Sequence, residues 1–187
     1  MGYCKNSRKS SCSCCPSRGA TGATGAAGAT GADGADGATG ATGAAALTAD
    51  FAEFFALMPP DNIPTIAVDA PVLFPQDGPT SGGGITRTGA GSFNLAEIGT
   101  YRVLFQVSVD EPGQLLLYVD GAEVPHTVVG RATGTSQIVG QSLITTTVVD
   151  SVLEVRNASG NSTALTITPI AGGTHPVSAS LIIERLA

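Results

Sequence analysis

The chain has 187 residues, 42% of them apolar and only 13% charged, with 25 Gly, 11 Pro, no Trp, a net charge of −6 and a pI near 4.7. The acidic balance argues against a nucleic-acid partner, because phosphate binding needs clustered Lys and Arg. With no run of about 18 apolar residues, no membrane span is expected either.

The first 18 residues, MGYCKNSRKSSCSCCPSR, hold all four cysteines and four of the nine basic residues. The segment is too short and too polar to bury a core. Cys4, Cys12, Cys14 and Cys15 read as a covalent anchor through intermolecular disulfides. Interchain disulfides, metal ligation and no special role are the other readings. A zinc site prefers two separated Cys-x-x-Cys pairs, which the adjacent Cys14 and Cys15 do not form. Lys5, Arg8, Lys9 and Arg18 favour the thiolate form of their neighbours. The N-terminus lacks the apolar stretch of a secretory signal. Asn6 also stands where a myristoylation pattern needs Ser or Thr. The expectation is a protein made in the cytosol, or one that reaches a surface without a classical signal.

Residues 19–45 are a triplet repeat. Glycine stands at 19, 22, 25, 28, 31, 34, 37, 40 and 43, always followed by Ala and then by Thr, Ala or Asp. Strict glycine at every third place is what three polyproline-II-like chains need in order to wind together, since only glycine fits at their axis. The alternative is a flexible Gly/Ala linker, which has no reason to keep a period. As a triple helix the repeat extends about 80 Å, at roughly 3.1 Å per residue. It has no proline, so its ordering costs more entropy, and it needs a trimeric partner domain to hold its chains in register. Thr21, Thr24, Thr30, Thr39 and Thr42 present a row of hydroxyls, read as O-glycosylation sites.

Residues 46–187 are predicted to be one β domain, leaving three parts: tail 1–18, repeat 19–45 and head 46–187. In the junction, Leu47, Phe51, Phe55 and Met58 have helical spacing, while Phe51–Met58 also reads as a strand buried on both faces. From Asp61 on, runs of Val, Ile, Thr, Leu and Phe alternate with Gly, Pro, Asn and Asp clusters. The predicted strands are 65–68, 72–74, 85–88, 92–95, 99–109, 114–119, 122–129, 136–148, 151–157, 164–169 and 176–186. Asp120-Gly121 marks a hairpin. About ten strands of this kind point to a two-sheet jelly roll.

No catalytic set stands out, so the chain is not read as an enzyme. His126 and His175, each beside a proline, read as loop or surface residues, and Gly82-Gly83-Gly84 as a plain turn rather than a phosphate loop. Solvation at turns accounts for Asp110-Glu111 and Asp120…Glu123, with a calcium site as the lesser reading. No cofactor is expected. The run Arg131–Ser142 is small and polar enough to line a three-fold axis.

Gly/Ala/Thr triplets followed by this β text resemble the BclA-like collagen-like glycoproteins of bacterial spore surfaces, whose head resembles the C1q/TNF jelly roll. The matching stretches are FAEFFALMPPD (51–61), FPQDGPTSGGGITRTGAGSFNLAEIGTYRVLFQVSV (74–109), GQLLLYVDGAE (113–123), VVGRATGTSQIVGQSLI (128–144), SVLEVRNASGNSTALTI (151–167) and VSASLIIERL (177–186). The most specific element, Phe93…Gly99-Thr100-Tyr101…Phe105-Gln106-Val107, is similar to the Phe…Gly-x-Tyr…Phe-x-Val signature of such heads. The resemblance implies that Phe51–Met58 is the first strand. It also implies a homotrimer, Thr-linked glycans on the stalk and display on the outermost layer of the spore. The hydrophobic, proline-rich targeting motif of well-known members is absent, and the Cys-rich leader stands in its place. A disulfide-linked spore-surface or appendage protein is therefore the expected partner of the tail. A structural filament is the first functional reading, and an adhesin whose trimeric head binds a host or environmental ligand is the second.

Overall fold

The computed structural model describes residues 18–37, 50–57, 61, 65–161, 163–168, 174–175 and 178–187. The chain divides into two units, Met1–Gly43 and Ala44–Ala187. In the first unit, residues 18–37 belong to neither helix nor strand, and every one is exposed. A Cβ added at any of Gly19, Gly22, Gly25, Gly28, Gly31, Gly34 or Gly37 would meet nothing within 4 Å. Nothing in this single chain therefore requires the glycine period.

Among its described residues the second unit has thirteen strands: β1 (Phe51–Ala56), β2 (Thr65–Ile66), β3 (Gln76–Ser81), β4 (Ile85–Gly89), β5 (Ser92–Leu95), β6 (Thr100–Val109), β7 (Gly113–Val119), β8 (Ala122–Glu123), β9 (Val129–Arg131), β10 (Ser136–Thr145), β11 (Ser151–Asn157), β12 (Leu165–Thr166) and β13 (Ala179–Arg185). The first sheet runs β10-β6-β13-β1-β3 and the second β4-β5-β11-β7-β8, with β9 also on β7 and a small β12-β2 pair beside them. All recorded strand pairings are antiparallel. The chain crosses between the two sheets at β3–β4, β5–β6, β6–β7, β9–β10 and β10–β11, so this is the jelly roll expected from the sequence.

Period-2 alternation places the core. Along β6 Tyr101, Val103, Phe105, Val107 and Val109 are buried, while Arg102, Leu104 and Gln106 face outward. They meet Leu115, Leu117, Leu153 and Val155 of the second sheet. Phe93 anchors the contact, its ring 4.5 Å from Phe54 and 6.0 Å from Phe74.

Several expectations are corrected. The first strand is buried on one face only: Ala52, Phe54 and Ala56 are inside, while Phe51 and Leu57 are exposed and Glu53 and Phe55 are half-buried. Residues 72–74 form no strand, although Val72 and Phe74 are core residues. Their amides bond singly to Val155 and Ala90 carbonyls, so no ladder develops. The run 122–129 breaks at a 3-10 turn, Pro125–Thr127, because Pro125 has no N–H to continue the ladder. Thr127 Oγ1 accepts the Leu117 amide there, 2.9 Å away. The run 136–148 ends at Thr145, and the strand read from Pro176 begins at Ala179. Strand β3, QDGPTS, was not expected, since Gly78 and Pro79 argue against a strand. It forms as an edge strand on β1, where a missing donor is tolerated.

Candidate functional site

The two sheets treat their outer faces differently. On the second sheet Leu116, Tyr118 and Ala158 form a small buried cluster under the chain's own polar groups. The Arg156 guanidinium lies 4.8 Å over the Tyr118 ring and pairs with Glu154 and Asp69. The Tyr118 hydroxyl donates to Glu123 Oε1 at 2.8 Å and Asp69 Oδ1 at 3.2 Å. Burial foremost, then the Glu123 carboxylate, pushes the Tyr118 hydroxyl up to about 12. Hydrogen bonds from Ser159 and then Tyr118 hold Glu123 below the ordinary carboxylate range.

The outer face of the first sheet is not closed in this way. Strand register sets its side chains in rows across β10, β6, β13 and β1. Leu143, Arg102, Glu184 and Phe51 stand abreast, then Gln141, Leu104, Ile182 and Glu53, then Val139, Gln106, Ser180 and Phe55. Leu143 is 54% exposed, Val139 52% and Phe51 40%, and Leu104, Ile182 and Phe55 are half-buried. An Arg102–Glu184 ion pair crosses the face. Beside it lies a cleft of about 250 Å³ lined by Arg102, Leu104, Gln141, Ile182 and Glu184. Large apolar side chains gathered on one sheet face and left to water are what an interaction surface looks like. The chemistry such a face performs is association.

The carboxylates singled out at turns are structural acceptors. Glu111 takes the Thr166 hydroxyl and amide, at 2.6 and 2.5 Å, and these bonds hold it below the usual range. Asp110 accepts from Thr168 and Asp120 from the Val152 amide. Asp120 and Gly121 both have positive φ, 52° and 78°, as a two-residue hairpin turn requires. Among the described residues no three of His, Cys, Asp and Glu are grouped to hold a metal. His126 and His175 are exposed, and His126 Nε2 lies 3.0 Å from the Leu143 carbonyl. Gly82 and Gly83, at φ 84° and 89°, turn the chain from β3 to β4. Thr21, Thr24 and Thr30 are exposed, whereas Cys4, Cys12, Cys14, Cys15, Thr39 and Thr42 lie outside the described residues. In the run Arg131–Ser142, Val139 and Gln141 reach the open face. Sequence reading missed the face as a unit. Its signal is that β10 carries apolar residues on both parities, Ile138 and Ile144 inside but Val139 and Leu143 outside.

The fold and this face define the head as an all-β jelly roll of the C1q/TNF-like type. Murine APRIL (pH 8.5 crystal structure) matches at a TM-score of 0.53 and 11% identity, over 74% of this chain and 100% of that chain. The globular domain of zebrafish complement 1qA gives 0.47 at 11% identity, over 74% and 94%. Pika GITRL gives 0.45 at 10%, over 74% and 96%. At 11% identity the APRIL match speaks for the fold alone. No protein-family model and no curated protein matches the sequence. No helix among the described residues is long and apolar enough to cross a membrane.

Proposed function

We propose that this chain is a structural filament protein of the bacterial spore surface, exosporium or appendage, with no enzymatic activity. The head assembles three copies through the outer face of the first sheet. Residues 19–45 then wind into a collagen-like stalk carrying sugar on Thr21, Thr24, Thr30, Thr39 and Thr42. Cys4, Cys12, Cys14 and Cys15 anchor the tail by disulfides to a surface or appendage protein.

The observation that carries the reading is the set of exposed and half-buried apolar side chains on β10, β6, β13 and β1, next to a second sheet whose Leu116 and Tyr118 are covered by the chain's own groups. The repeat supports it: its described glycines, Gly19 to Gly37, meet nothing in a single chain, and a strict period of three is what winding beside other chains requires.

Light scattering on the full chain in reductant tests the assembly. A three-chain mass is expected, and Leu104→Asp with Ile182→Asp should reduce it to one chain, because assembly would bury two unpaired carboxylates. A wild-type monomer at micromolar concentration would defeat the reading. Immunogold on intact spores tests the location. Serine at the four cysteines should release the protein under non-reducing extraction.

An adhesin is the second reading, and one observation favours it. At the end of the head where β7 begins, an open cleft of about 350 Å³ is lined by Gly113, Gln114, Gly130, Arg131 and Ala132. Arg131 Nε and Nη1 are buried without a hydrogen-bond partner, while its Nη2 donates to the Val109 and Glu111 carbonyls. Arg131→Gln should then abolish binding to a target surface at unchanged assembly mass.

A further inference from the structure

A second exposed apolar patch lies on different residues, at the end of the head where β1 starts and β13 stops. Loops 96–99 and 146–150 are laced together there. The Thr146 amide donates to the Gly99 carbonyl at 2.9 Å, the Gly99 amide to Thr146 Oγ1 at 3.0 Å, and the Asp150 amide to the Ala96 carbonyl at 3.2 Å. The hairpin turn at Asp120 joins them through a reciprocal pair of bonds with Val152. On this fixed frame Ile98, Val148 and Val149 stand 51, 54 and 59% exposed, with Val152 beside them. The exposed residues Glu97, Asp120 and Asp150 rim the patch. Arg185 reaches one of these loops, where its Nη2 donates to the Ile98 carbonyl, so one guanidinium stands against three rim carboxylates.

Charge along the chain indicates what covers this surface. Residues 1–18 hold Lys5, Arg8, Lys9 and Arg18 and no carboxylate, whereas residues 46–187 hold 13 carboxylates against five arginines and no lysine. We infer that the patch made by loops 96–99 and 146–150 and the Asp120 turn docks the cationic leader of a second copy. Ile98, Val148 and Val149 offer apolar surface to long aliphatic stems, and Glu97, Asp120 and Asp150 offer carboxylates to cationic heads. Single exposed ion pairs contribute little. Three leaders and three heads per assembly multiply them, and opposite fields speed the encounter. Because the contact joins unlike surfaces, it builds species larger than the basic assembly, as rings where the rotation closes and as arrays where it does not. The inference goes beyond surface display and does not use the cysteines.

Sedimentation of the full chain in reductant, so that disulfides play no part, tests it. Species larger than the basic assembly are expected at about 0.01 M salt. They should dissolve at about 1 M, where the Debye length has fallen from about 30 Å to about 3 Å. Lys5→Glu with Lys9→Glu should weaken the large species by about tenfold or more. Glu97→Lys with Val149→Lys, two exposed side chains, should do the same. A chain carrying all four changes should recover association. No large species at low salt, association that resists salt, or no recovery in the four-fold variant would each overturn the inference. The mass at high salt reports basic assembly separately, so its failure is distinguishable.

Discussion

Single side chains hold this head together where backbone groups would otherwise go unpaired. Asn157 is fully buried and donates to the Ile66 and Thr163 carbonyls while its own carbonyl accepts from Asn161. Asn157→Ala removes these three hydrogen bonds from a buried site, and chemical denaturation should show a loss of about 2 to 3 kcal/mol. Gly140 faces the opposite problem: a Cβ there would lie 2.6 Å or closer to two Phe105 ring atoms. Gly140→Ala should cost about 1 to 3 kcal/mol by overpacking. Tyr118 sets an alkaline limit. Its raised value means that its stabilisation is complete below the free tyrosine value of about 10 and is lost as pH climbs toward about 12. Melting temperatures across that window should fall less steeply in Tyr118→Phe, and an equal slope would count against the assignment.

Among the elements, β3 and the broken strand β8–β9 show how context overrides local preference. β3 lies at the sheet edge and is clasped to β4 by Arg87, whose Nε and Nη2 each reach an Asp77 oxygen at 2.8 Å. The hydrogen bond from Arg87 holds Asp77 below its ordinary value. The clasp is therefore complete above the usual carboxylate range and lost as pH falls below it. Because Asp77 is more than half exposed, a double-mutant cycle should give at most about 1 kcal/mol. Hydrogen exchange should quicken in β3 and β4 alone when either residue is neutralised. In β8–β9, Thr127→Val removes the oxygen that accepts the Leu117 amide deep in the sheet, and a loss of about 1 to 3 kcal/mol is expected.

For the molecule as a whole, the glycine period, the jelly-roll class and most strands could be read from the chain. β5 and β11 match their predicted limits, because Ser92–Leu95 and Ser151–Asn157 alternate cleanly between turn residues. The Cys-rich leader, the triplets and the β head differ in composition, so sequence alone separates them. What it could not decide is which outward residues stay uncovered. Leu116 and Tyr118 look as exposed in the alternation as Leu104 and Ile182 do. Only the tertiary fold brings Asp69, Arg156 and Ser159 over the first pair and leaves the second pair open. Alternation tells one face of a strand from the other, because it is a property of neighbours along the backbone. Whether that face is covered by the chain's own loops depends on segments far away in sequence, so only three-dimensional packing decides it.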